Sequence, residues 1–103
     1  MARRYAIIGC GAVGGYYGGC LQRSGVEVHF LLRHDYAHVA AHGLRIESPR
    51  GDFALPQVRA HARPGTMPAC DVVAVSLKTT ENHLLPGIFA HVLAPGGTIL
   101  LLQ

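Results

Sequence analysis

The chain has 103 residues, half of them hydrophobic, and nine Lys and Arg against six Asp and Glu give a net charge of +3. That length holds one domain, the apolar content excludes intrinsic disorder, and no apolar run reaches the ~18 residues of a membrane span. A positive surplus this small and scattered gives no argument for nucleic acid as a partner.

The opening Met1-Ala2-Arg3-Arg4 is basic, but the apolar segment behind it is short and broken by Gly9, Gly11, Gly14 and Gly15, so it does not read as a secretory signal. Tyr5-Ala6-Ile7-Ile8 is the pattern of a buried parallel strand ending at Gly9. After a glycine-rich turn, Val13 to Arg23 is predicted as a helix with Gly25 at its C-terminal cap. Val26 to Leu32 is rich in β-formers and reads as a second strand. Asp35 suits the N-cap of a short helix over Tyr36 to His42, stopped by Gly43. Leu44 to Ser48 alternates apolar and polar, and a turn at Pro49-Arg50-Gly51 lets Asp52 to Val58 return as the second arm of a hairpin. Ala60 to Ala69 reads as a connection without regular structure. Asp71 to Leu77 is another buried strand, ending at Lys78. Thr80 can cap a helix toward Leu93 that Pro86 breaks or restarts, and Pro95-Gly96-Gly97 turns into a final strand, Thr98 to Gln103, read as buried.

Alternating strands and helices imply an α/β fold: a Rossmann-like parallel sheet with helices on both faces, and the hairpin as an insertion. In such sheets ligands bind beyond the carboxyl ends of the strands. Half-apolar composition is high for a free-standing domain of this size. With a buried-looking final strand that nothing covers, it makes the chain read as the N-terminal piece of a longer polypeptide.

Gly9-Cys10-Gly11-Ala12-Val13-Gly14 matches GxGxxG, and it follows a strand and opens a helix, the context in which the pattern carries weight. Gly9 permits the tight turn, Gly11 lets backbone approach a pyrophosphate, and Gly14 lets helix and strand pack closely. Amide groups at the helix start and the helix dipole then favour a diphosphate. Gly15, Gly18 and Gly19 continue into the helix at about 0.5–1 kcal/mol each relative to alanine, so close packing or a ligand is expected beside them.

An NAD site usually carries Asp or Glu near the end of the second strand. Arg33 stands there instead, and a guanidinium can bind a 2′-phosphate through paired donors. Asp35 is the competing reading, as a ligand of the ribose. Lys78, at the end of a buried strand, can attract a pyrophosphate or an anionic substrate. His34, His38 and His42 fall at helical spacing but read as a solvated face rather than a metal site, and His29 as an ordinary sheet residue. His61, His83 and His91 have no partner pattern, and Tyr16 and Tyr17 read as packing residues. Cys10, Cys20 and Cys70 have neither CxxC nor zinc spacing and read as reduced thiols of a cytoplasmic protein.

These features together resemble the N-terminal domain of the ketopantoate reductase (2-dehydropantoate 2-reductase) family. The resemblance rests on Ile8 to Gly14, Arg33, Gly43-Leu44-Arg45-Ile46-Glu47-Ser48 followed by Gly51, Asp71 to Lys78, and Leu100 to Gln103. It implies an NADP (NADPH) cofactor and reduction of a 2-oxo acid, 2-dehydropantoate, to pantoate in pantothenate synthesis. It assigns Gly9, Cys10, Gly11, Ala12, Val13 and Gly14 to the pyrophosphate, Arg33 to the 2′-phosphate and Lys78 to the neighbourhood of the cofactor. Many members carry glutamine where this chain has Glu81; an acid there either weakens cofactor contact or points away. The family's catalytic lysine and substrate-binding residues belong to an all-helical C-terminal domain missing from these residues. No catalytic residue is therefore assigned here, and weak nucleotide binding without turnover is expected of these residues alone, with self-association through exposed apolar surface. The alternatives are a dinucleotide-sensing regulatory domain, against which Arg33 speaks, and another hydroxyacid or sugar-nucleotide dehydrogenase.

Overall fold

The computed structural model describes residues 3–9 and 11–102. Its elements are β1 (Arg4–Ile8), α1 (Ala12–Arg23), β2 (Glu27–Leu31), α2 (Tyr36–His42), β3 (Leu44–Ile46), β4 (Phe53–Leu55), β5 (Arg59–His61), β6 (Cys70–Val75), α3 (Leu85–Val92) and β7 (Leu93–Leu101). Five strands form one sheet in the order β5-β2-β1-β6-β7, and β3 and β4 form a separate antiparallel hairpin. Every pairing in the large sheet is parallel. Numbered within that sheet the order is 3-2-1-4-5, so the chain reverses its direction of travel between β1 and β6, and that switch point is where such folds bind ligands.

Side chains alternate across the sheet, and the apolar runs follow because both faces are covered. Ala6, Ile8, Val73 and Val75 pack with Leu85, Ile88 and Val92 of α3 on one face. Ile7, Val28, Phe30 and Ala74 pack on the other with Val39 of α2, Tyr17 and Leu21 of α1, and Leu44 of the hairpin. Full burial of side chains such as Phe30 and Ile7 contributes about 1.5–3 kcal/mol each. At the amino ends Arg4 ties three strands together: its Nε lies 2.7 Å from Glu27 Oε2, and its main-chain amide donates to Asp71 Oδ2 at 2.8 Å.

Four sequence expectations change. The segment read as a connection contains β5, a three-residue edge strand beside β2; its Arg-Ala-His lacks an apolar run because only tertiary pairing holds it. The first part of the helix expected from Thr80 is a 3₁₀ turn over Thr79–Leu84, while the restart expected at Pro86 is present as α3, with Pro86 in its first turn, where its missing amide costs nothing. The final strand starts earlier, at Leu93, and absorbs Pro95-Gly96-Gly97 through a register shift between Cys70 and Val72 of its partner. It is also not buried: β7 is the sheet's edge, and Ile99, Leu100 and Leu101 are exposed, Leu101 at 62%. No helix among the described residues is long and apolar enough to cross a membrane.

Candidate cofactor site

The carboxyl ends of β1, β2 and β6 meet at a crevice lined by Gly9, Gly11, Leu32, Arg33, His34, Asp35, Ser76, Leu77, Lys78 and Glu81. The strand ends are locked in register there. Gly9 N–H donates to Leu31 O at 2.9 Å, and Ser76 N–H donates to Ile8 O at 2.8 Å. Gly9 takes φ +85°, which glycine adopts freely, and a Cβ on it would sit 2.9 Å from Leu77 Cδ2.

Of the residues singled out in the turn, Gly9 and Gly11 line the crevice and Ala12 opens α1. Val13 is exposed on the first turn of α1. Cys10 lies outside the described residues. Gly14 is buried, and its tight neighbour is Ser76 beyond β6 rather than the strand before the turn. A Cβ on Gly14 would come within 2.5 Å of both Ser76 Cβ and Oγ, and its amide donates to Ser76 Oγ at 3.2 Å. That bond removes Gly14 from the amides open to an anion. The N-cap of α1, Gly11, offers no side-chain acceptor of its own. The glycines further along α1 answer to packing: Gly18 faces Phe30 and Ile7, and Gly19 faces Ile46 and Phe53 of the hairpin.

Arg33 and Lys78 both line the crevice, from the β2 and β6 sides. Arg33 does not stand alone. Its Nη1 donates to Glu81 Oε2 at 2.6 Å, so the acid points at the site. Asp35 occupies the N-cap position of α2, but its carboxylate makes no capping bond, and the residue lines the crevice. The expected cap is thus formed by main chain alone, Val39 N–H to Asp35 O at 2.9 Å. A second hollow shares Gly11 and Asp35 and continues past Tyr16, His38 and the hairpin. The His38 and His42 rings meet tilted, with centroids 5.0 Å apart, and no metal-binding group of three residues occurs among the described residues.

Sequence reasoning missed one polar chain. Glu27 Oε2 lies 2.7 Å from His29 Nε2, His29 Nδ1 lies 2.9 Å from His61 Nε2, and His61 Nδ1 lies 2.8 Å from Thr66 Oγ1. The hydrogen bonds from His29 and Arg4 hold the Glu27 carboxyl below the usual carboxylate range. Burial, aided by the neighbouring His29, pushes His61 below the ordinary histidine value. The legible signal was Glu27-x-His29, two polar residues on one face of a strand; the pairing with His61 depended on β5. Cys20 and Cys70 are free thiols, and burial pushes Cys70 up to about 11.

A parallel sheet with its order switching beside a glycine turn, and cations on both flanking strand ends, defines an α/β domain of the Rossmann type. Comparison with known proteins narrows the class. The ketopantoate reductase PanE/ApbA family model matches residues 5–103. A 2-dehydropantoate 2-reductase of Nostoc sp. is 54% identical over 101 residues, 98% of this chain and 32% of that protein. The crystal structure of 2-dehydropantoate 2-reductase from Geobacter metallireducens superimposes with a TM-score of 0.92 at 46% identity, over 97% of this chain and 33% of the other. That from Methylococcus capsulatus gives 0.82 at 29% identity, over 95% and 32%. The chain belongs to the ketopantoate reductase family, and it spans about a third of the length of these relatives.

Proposed function

We propose that this chain is the NADPH-binding part of a 2-dehydropantoate 2-reductase, an oxidoreductase of the cytoplasm that reduces the ketone of a 2-oxo acid in pantothenate synthesis. One observation carries the reading: a glycine turn, Arg33 and Lys78 share a crevice at the sheet's switch point. The donor set fits the cofactor. Gly9 and Gly11 leave the crevice floor without side chains, Lys78 supplies a charge for the diphosphate, and Arg33 supplies a planar pair of donors for the 2′-phosphate. Asp35, uncommitted to its helix, is placed to accept from a ribose hydroxyl. The bound cofactor supplies the hydride. The proton that the ketone oxygen then takes needs a general acid, and none is assigned among these residues. We place that acid, and the groups that hold the substrate, in a further helical domain of a two-domain enzyme. The apolar β7 edge, with Ile99 and Leu101 exposed, supports contact with such a domain or with a second copy. A dinucleotide sensor is not favoured, because the family and the relatives described are reductases.

The test is cofactor titration of the purified protein and of Arg33→Met. One charged hydrogen bond contributes about 1.5–3 kcal/mol, so the variant is expected to bind NADPH about ten- to a hundredfold more weakly and NADH unchanged. Equal affinity for the two cofactors in the parent protein, with no response to the substitution, refutes it.

A further inference from the structure

The ion pair between Arg33 and Glu81 bridges the two sides of the crevice, and nothing in the fold requires it there. Glu81 lies in the 3₁₀ turn after β6, where its amide donates to Lys78 O at 2.9 Å, so the main chain fixes the origin of its side chain. From that side its carboxylate reaches the guanidinium at the end of β2, 2.6 Å from Nη1. Both residues line the crevice with Gly9, Gly11 and Lys78, and the Arg33 side chain is 55% exposed, open to a ligand. An exposed pair of this kind adds little to stability.

We propose that Glu81 is a specificity-determining residue of this site, one that competes with the 2′-phosphate for Arg33 and so narrows the preference for NADPH over NADH. The inference rests on the reading of Arg33 as the phosphate ligand. A phosphate with nearly two negative charges must share one guanidinium with a carboxylate already bonded to it, and the two anions repel across a few ångströms. NADH has a hydroxyl at that position. It can leave the ion pair intact and donate to the free lone pairs of the carboxylate. One residue thus disfavours one cofactor and tolerates the other. Screening weakens the penalty as salt rises.

The experiment measures dissociation constants for NADPH and NADH at low and high salt in the parent protein, Glu81→Gln, Arg33→Met and the double variant, with thermal midpoints as a control on folding. Glutamine keeps the size and can still accept from Arg33 but carries no charge. Glu81→Gln is expected to tighten NADPH about three- to tenfold at low salt, from a surface pair's strength and the relieved repulsion. NADH should change by less than about twofold, and on the Arg33→Met background the part of the NADPH gain that comes from competition for the guanidinium should disappear, leaving a smaller gain from relieved repulsion that high salt removes. If Arg33→Met weakens NADPH alone while Glu81→Gln leaves NADPH unchanged or weakens it, Glu81 instead orients Arg33 and the inference is overturned by itself. An undiminished gain without Arg33 also overturns it. If Arg33→Met changes neither cofactor, the reading of Arg33 fails and the inference falls with it.

Discussion

Replacing Gly18 by alanine sets helix propensity against packing, and the structure decides the sign. Gly18 sits in the middle of α1, where alanine is favoured by about 0.5–1 kcal/mol. A Cβ there would lie 2.6 Å from Phe30 Cε2 and 2.8 Å from Ile7 Cγ1. Neither neighbour can retreat, because Phe30 and Ile7 are both fully buried between α1 and the sheet. Overpacking of this kind costs about 1–3 kcal/mol; against the propensity gain that leaves a net loss of up to about 2.5 kcal/mol, and the two blocked neighbours place it toward the upper part of that range. For a domain of this size each kcal/mol is worth about 4–8 °C in Tm. Gly87 of α3 is the control, because a Cβ there meets nothing within 4 Å and its φ is not positive. Gly87→Ala should gain about 0.5–1 kcal/mol. Urea unfolding followed by circular dichroism measures both, with the slope expected to be unchanged. A Gly18→Ala variant as stable as the parent would refute the claim that this glycine is there for the close approach of helix to sheet.

Acid should weaken the fold in two stages. The pKa of His61 is lower folded than unfolded, so the unfolded chain binds more protons; its contribution is complete above the ordinary value of 6.5 and is lost as the pH falls through the folded value. Glu27, also lowered, adds a further loss below 4.5. Thermal midpoints should fall between pH 7 and 5, and His61→Gln should flatten that stretch; a flat profile in the parent protein would contradict the assignment. Cys70 should resist alkylation. At about 11 its thiolate fraction is on the order of one in a thousand at pH 8, and the side chain is buried. Iodoacetamide should label Cys20 before Cys70, and Cys70 only on unfolding, as peptide mass mapping would reveal; early labelling of Cys70 would refute the burial.

Much of this arrangement is legible in the chain itself. Apolar runs bounded by glycine mark β1 and β6 because a strand covered on both faces has no room for polar side chains. The GxGxxG spacing and the place of Arg33 after the second strand are local facts, and the fold delivers both to one crevice. The parallel order of the sheet followed from the alternation of strand and helix. What escaped were features created by neighbours distant in sequence. β5 has three residues and exists because β2 offers a free edge, so neither composition nor periodicity announces it. The exposure of β7 is a matter of its position at the edge, since an apolar strand reads the same whether covered or bare. Ser76 as the partner of Gly14, 62 residues away, is invisible to a motif that explains each glycine by its own turn. The direction of Glu81 was open in the sequence because an acid three residues past Lys78 can face either way; the 3₁₀ turn and the guanidinium at the end of β2 aim it at Arg33. Local spacing thus determined which residues could meet an anion, whereas their charge balance came from side chains that only the folded sheet brings within bonding distance.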